Sequence, residues 1–245
     1  MKKILALVLA LALVACASAV LAEEVMTHEG FVQLALEEPA VVETYVQATQ
    51  SWWDGKITVY AQSEDGAYFL YNLACSEEDA AKLVPGTKIK VSGTKVEWSG
   101  EVEIGDGTFE FVEGDPFIAE ATDVTALLGS EELSQHMNEK IAIKGAKVAA
   151  STVEGQEGEY AFLYAWDGSG SREDNGVGSD LYFKIEVGGE VYTMTVESYL
   201  CNNESDAYKA VEALQIGDVI DLEGFLYWYN GANPHITAVT AAAAE

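Results

Sequence analysis

Positive charge is what this chain has least of. Thirteen Lys and Arg stand against 41 Asp and Glu in 245 residues, a net charge of −28 at neutral pH. Such a surface is soluble and self-repelling, and it repels phosphate backbones and anionic polymers. No nucleic acid is therefore expected among its partners. Histidine is scarcer still: His28, His136 and His235 are scattered, with no pair at ligand spacing and no serine elbow or zinc pair. No nucleophile–base or metal set can be assembled from local spacing, so the sequence predicts no enzyme and no cofactor. After residue 22 no run reaches the ~18–20 continuous apolar residues that cross a bilayer. Disorder, the usual companion of such acidity, is excluded by an aromatic content of 10% and abundant β-branched residues.

Residues 1–22 read as a signal peptide. Lys2 and Lys3 precede an apolar run from Ile4 to Ala15, small residues follow, and then comes Glu23-Glu24. Val20 and Ala22 suit the −3 and −1 positions of a cut before Glu23. A second reading takes Leu13–Cys16, LVAC, as a lipobox with Cys16 acylated. The protein is expected to be exported, from a bacterium: secreted, at the cell surface or periplasmic, and membrane-bound only if lipidated at Cys16. Export leaves two cysteines, Cys75 and Cys201. They can bridge, or each can be a small buried hydrophobe, and free thiols are the expected state.

The remaining pattern is mostly of period two. Met26–Leu36 reads as a short helix capped by Thr27. Strands are expected over Val41–Ala48, Lys56–Gln62, Ala67–Leu73 and Thr87–Glu97, with a fifth from Glu101 that is interrupted at Gly105–Gly107. Asp65-Gly66 marks a hairpin, and Ser76 opens a helix between the third and fourth strands. A linker helix is expected over 123–138, with Ser130 as its cap. Strands then follow at Lys140–Ala149, Tyr160–Trp166, Asp180–Val187, Glu190–Ser198, Asp218–Tyr229 and His235–Thr240, with a helix at Glu204–Leu214.

The two halves repeat. Leu83, Gly86, Ile89, Val91, Gly93 and Gly100 match Leu214, Gly217, Ile220, Leu222, Gly224 and Gly231. The runs G-x-x-I-x-V-x-G at Gly86–Gly93 and G-x-x-I-x-L-x-G at Gly217–Gly224 resemble the fourth strand of OB modules of the tRNA-anticodon and exonuclease type. The resemblance implies a mainly β chain of two tandem five-stranded OB-like barrels. Each would carry a helix between strands three and four and a short preceding helix. The domains would be 23–122 and 123–245, the second including the linker helix.

Aromatic residues make the candidate site. Trp52 and Trp53 fall between strands one and two, and Trp98 falls at the turn between strands four and five. Tyr227, Trp228 and Tyr229 occupy the matching turn of the second unit. These loops flank the binding face of an OB barrel. The rings either seal barrel mouths and contacts or form a stacking platform. Asp167, Asp174 and Asp180, with Ser169, Ser171 and Glu173, offer oxygen ligands to calcium but lack the EF-hand spacing, and a solvated loop is the simpler reading. The expected function is an exported, non-enzymatic binding module for a neutral oligosaccharide, peptide or surface protein. The alternative is a structural or assembly module of the cell envelope with no small ligand, and behind it single-stranded nucleic-acid binding.

Overall fold

The computed structural model describes residues 24–243; the expected signal peptide, with Cys16 and the expected cut after Ala22, lies outside them. The first half forms β1 (Pro39–Thr49), β2 (Lys56–Ser63), β3 (Gly66–Ala74), β4 (Lys88–Trp98) and β5 (Glu101–Phe111). They close as a barrel in the order β1-β2-β3-β5-β4, with only β3 and β5 running parallel. Alternation drives the closure. Ile57, Val59 and Ala61 of β2 and Ile89 and Val91 of β4 all point into one buried cluster. The fifth strand runs unbroken through Gly105–Gly107, where a break was expected.

The second half adds β6 (Thr122–Asp123), β7 (Lys140–Ala149), β8 (Phe162–Tyr164), β9 (Leu181–Val187), β10 (Glu190–Val196), β11 (Val219–Phe225) and β12 (His235–Ala241). Five of these close a second barrel through the pairing of β7 with β9. The order β7-β9-β10-β12-β11 repeats that of the first barrel, with β10 and β12 as the parallel pair. Both halves are OB-like barrels. The aromatic strand expected over Tyr160–Trp166 is reduced to β8, which pairs on the outer edge of β9 and takes no part in closure.

The repeat alignment sets the register correctly. Ile89 and Val91 are fully buried, as are Ile220 and Leu222. Gly93 sits where the register of β4 on β5 slips by one, and Gly224 sits at the corresponding slip of β11 on β12. At Gly93 a Cβ would lie 2.6 Å from Ile104 Cγ2, and at Gly224 it would collide with the His235 carbonyl. Only glycine lets the fourth strand curl this tightly over its neighbour.

The helices are shorter than the sequence suggests. Helix α1 (His28–Gln33) is capped by Thr27, whose hydroxyl accepts from the Gly30 N–H. Helix α2 (Glu77–Ala80) is a single turn, capped by Ser76. Helix α3 (Asp206–Glu212) buries Ala207, Tyr208 and Val211 against the second barrel. The linker helix expected over 123–138 is instead two 3-10 turns, Thr125–Leu127 and Glu131–His136, and Ser130 makes no side-chain cap. Among the described residues no helix is long and apolar enough to cross a membrane.

Candidate binding groove between the barrels

The two barrels dock through aromatic residues on strand faces that point away from their own cores. Tyr60 on β2 stacks on Phe225 at the end of β11, ring centres 4.7 Å apart. Phe69 on β3 meets Tyr227 edge-on at 5.1 Å, and Tyr227 lies flat on His235 at 4.4 Å. Hydrogen bonds frame the contact. Ser51 N–H donates to the Tyr199 carbonyl (2.7 Å), Asn230 N–H to the Ser99 carbonyl (2.6 Å), and Lys140 N–H to Gln62 Oε1 (2.8 Å). Tyr60 and His235 are both buried, with the phenol oxygen 2.6 Å from Nδ1. Burial holds the imidazole neutral down to about 3 and pushes the phenol well up. Both groups are thus neutral, and one hydrogen bond joins them.

Beside this contact opens a groove of about 830 Å³. Barrel one contributes Gln50, Phe69 and Tyr71. Barrel two contributes Trp166, Tyr182, Tyr227, Tyr229 and His235, with Thr193, Thr195, Glu197, Asn233 and Asp180 between the rings. Phe69 and Tyr71 face it together because they alternate on the outer face of β3. The next residue on that face by period two, Leu73, is turned into the barrel core instead. Asn72, at φ 55°, and the β2–β3 register slip between Ile57 and Val59 account for the turn.

The floor is rich in acceptors and holds no lysine or arginine. Glu197 accepts from the N–H groups of Tyr199 (3.1 Å) and Leu200 (2.7 Å). Burial, and then the nearby Asp180 charge, push its carboxyl up to about 7. Asp180 Oδ1 accepts from the backbone and hydroxyl of Ser198. Elsewhere three strand lysines are engaged by carboxylates: Lys88 with Glu43 (2.7 Å), Lys90 with Glu110 (3.4 Å) and Lys140 with Glu223 (3.8 Å).

The six aromatic residues singled out from the sequence do not form one platform. Tyr227 and Tyr229 line the groove. Trp53, 75% exposed, lines an adjoining hollow of about 270 Å³ that shares Gln50 and Tyr71 with it. Trp52 is tied back by its indole N–H to the Cys75 carbonyl (2.8 Å). Trp98 projects into solvent at the β4–β5 turn. Trp228 lies over Gly100 and faces a second cavity with Leu128, Tyr192 and Met194, which borders the groove at Thr193 and Ala232. Sequence reasoning missed Trp166, Tyr182, Phe69, Tyr71 and Glu197. For Phe69, Tyr71 and Tyr182 the one signal was an aromatic residue on the outer face of a strand, which a period-two pattern assigns to solvent; Trp166, in the turn after β8, and Glu197, just past β10, carried none.

Two alternatives left open by the sequence, the Cys75–Cys201 bridge and the calcium loop, find no support in the geometry. Cys75 and Cys201 are unbridged and belong to the separate cores of the two barrels. The calcium candidates do not converge. Asp167 is bound by Ser169, Asp174 by Ser179 and Asp180 by Ser198, and no metal-holding cluster occurs among the described residues.

No family model matches the chain, and no curated protein matches it. Solved structures that resemble it include a murine DNA-binding protein bound to double-stranded DNA. It is 13% identical at a TM-score of 0.34, over 84% of this chain and 100% of that one. The Ifi202 HINa domain in complex with 20-bp double-stranded DNA is 13% identical at 0.32, over 85% and 98%. A replication protein A heterotrimer bound to single-stranded DNA is 9% identical at 0.31, over 84% and 51%. The likeness is one of fold: two OB-like barrels in tandem. These neighbours were solved on DNA, where the sequence led to no nucleic-acid partner being expected. The expected exported glycan-, peptide- or surface-protein-binding module and its secreted or cell-surface location find no counterpart among them.

Proposed function

We propose that the inter-barrel groove binds single-stranded nucleic acid by its bases, with the phosphates left in solvent, and that the protein performs no catalytic step. The observation behind this reading is the groove itself, in which Phe69, Tyr71, Trp166, Tyr182, Tyr227, Tyr229 and His235 surround a cavity of about 830 Å³. Every base has a π-face, and stacking on one aromatic side chain contributes about 1–3 kcal/mol. Glu197, Asp180 and Asn233 suit the exocyclic amino groups of bases and repel phosphate.

The net charge of −28 dictates the mode. A protein that holds a strand by its phosphates loses affinity steeply with salt, because each neutralised phosphate releases counterions. Here lysine and arginine are absent from the floor, and added salt screens repulsion between protein and strand. Affinity for an oligonucleotide should therefore hold or rise from 50 to 500 mM NaCl. Tryptophan fluorescence titrated with an unstructured oligocytidine or oligoadenosine tests this. The expected result is quenching that Trp166→Ala and Tyr229→Ala both weaken. No quenching by any base at any salt overturns the function, and a steep loss with salt overturns the mode.

The stacked pair Tyr60 and Phe225 supports a second reading, in which the rings only clamp the barrels together. It predicts that Trp166→Ala and Tyr229→Ala change stability and leave oligonucleotide signals unmoved.

A further inference from the structure

Glu101, at the start of β5, is a carboxylate with no exposed surface at the junction of the barrels. Its Oε2 accepts the N–H of Trp228 from the other barrel at 2.8 Å. Its Oε1 has no partner. Beside it stands the amide of Asn138, just before β7, whose Nδ2 donates to the Val102 carbonyl at 3.3 Å while its Oδ1 is also buried and without a partner. Two orphaned acceptors in a dry junction are costly, and a proton on the Glu101 carboxyl removes the uncompensated buried charge. No cation pairs with Glu101 among the described residues. The groups that face it are Glu103 on its own strand, Tyr60 on β2, and Tyr227 and Trp228 on the loop after β11.

We propose that Glu101 forms a proton-dependent latch between the barrels, in which the neutral carboxyl, beside the Asn138 amide, accepts the Trp228 N–H. Loss of the proton leaves a fully buried carboxylate with no cation beside it among the described residues and close to a second carboxyl, Glu103. The stretch held by this contact, residues 226–230, carries Tyr227 and Tyr229 of the groove. Deprotonation therefore loosens the wall of the groove, whatever ligand the groove takes. Burial supports the neutral form, pushing the Glu101 carboxyl up to about 8.

The sign follows. The folded protein holds this proton more tightly than the unfolded chain, so the stabilisation is complete below the ordinary carboxylate range. It is lost as pH rises towards about 8, by up to about tenfold in the folding equilibrium per pH unit. Glu103 and Glu197, each pushed up to about 7, act in the same direction. The informative quantity is thus the difference between the wild type and Glu101→Gln. The Gln carbonyl can accept from Trp228 without carrying a charge, which imitates the protonated latch at every pH.

Denaturant unfolding of the full chain from pH 5 to 9.5, followed by tryptophan fluorescence, tests this. The two proteins should match near pH 5, and Glu101→Gln should be the more stable by at least about tenfold in the equilibrium constant at pH 9. Parallel profiles, or a variant less stable than wild type at pH 9, overturn the latch. A carbon-13 NMR titration of the wild-type Glu101 carboxyl needs no variant. A midpoint near the free carboxylate value overturns the proposal, and one at or above neutrality supports it.

Discussion

The two barrels share a frame and differ most in one connection. Between β1 and β2 the first barrel passes through residues 50–55, a tight excursion that carries Trp52 and Trp53. Between β7 and β9 the second barrel spends residues 150–180, enough for the edge strand β8 and a loop that brings Trp166 and Asp180 to the groove. The strand order, the glycine slips and the buried pairs are the same in both. Closing a barrel constrains the strands, whereas a connection needs only surface. The groove accordingly takes from the first barrel one outer strand face and Gln50. From the second it takes that inserted connection, the outer faces of β9, β10 and β12, and the β11–β12 loop.

The glycine pair offers the largest break in this parallel. Gly224→Val drives a side chain into the His235 backbone, which cannot step aside, and should cost about 3 kcal/mol or more. Gly93→Val meets mainly the Ile104 side chain, with the Gly105 carbonyl at 3.1 Å, and should cost about 1–3 kcal/mol. Urea unfolding of both variants gives the ranking. Equal or inverted costs would mean that the two curls are not built alike.

A smaller contrast lies one turn of the pattern inward. Leu222→Ala and Val91→Ala empty matching places in the two cores, where both side chains are fully buried. Losses of about 3 and about 2 kcal/mol are expected, scaled by the volume removed. If either variant loses almost nothing, that core has collapsed around the gap and is the less tightly packed of the two.

The repeat was legible because closure of a small barrel demands particular residues at particular places. Gly93 and Gly224 permit the curl, and Ile89, Val91, Ile220 and Leu222 alternate inward. The capping hydroxyls of Thr27 and Ser76 were legible for a similar local reason. Docking was not. Tyr60, Phe69 and Phe225 lie on outer strand faces, where alternation reads solvent, and they are buried only because the other barrel covers them. Glu101 sits among charged residues on a strand and looks like surface, yet nothing of it is exposed. The linker also misled. Glu131–His136 has helical composition, but Ser130 leaves its N-terminus uncapped and the segment tightens into 3-10 geometry. The Trp52, Trp53 and Trp98 expectations rested on where an OB barrel binds when it stands alone. Here the groove forms between two barrels.

The inserted connection supplies the smallest and most local contrast. Arg172 pins it to α3: Nη1 contacts Glu212 Oε2 at 2.9 Å, while Nη2 donates to the Asn203 carbonyl at 2.7 Å and to Glu204 at 3.2 Å. Asn203 returns a bond to the Arg172 carbonyl at 2.8 Å. The arginine side chain is 31% exposed and Glu204 more so, which screens the ion pairs. Arg172→Ala should therefore lower global stability by only about 1 kcal/mol, a few degrees in Tm at this chain length. Its local effect should be larger. Beyond its own serine and aspartate contacts, the loop over residues 167–179 then keeps to α3 and the residues before it only the bonds from Asn203 to the Val177 and Arg172 carbonyls and from Tyr208 to the Ser179 carbonyl. Limited proteolysis should cut there several-fold faster in the variant and leave the 50–55 connection of the first barrel untouched. An unchanged cleavage rate would show the insertion to be self-supporting, and the placement of Trp166 would then have to come from the barrel rather than from α3.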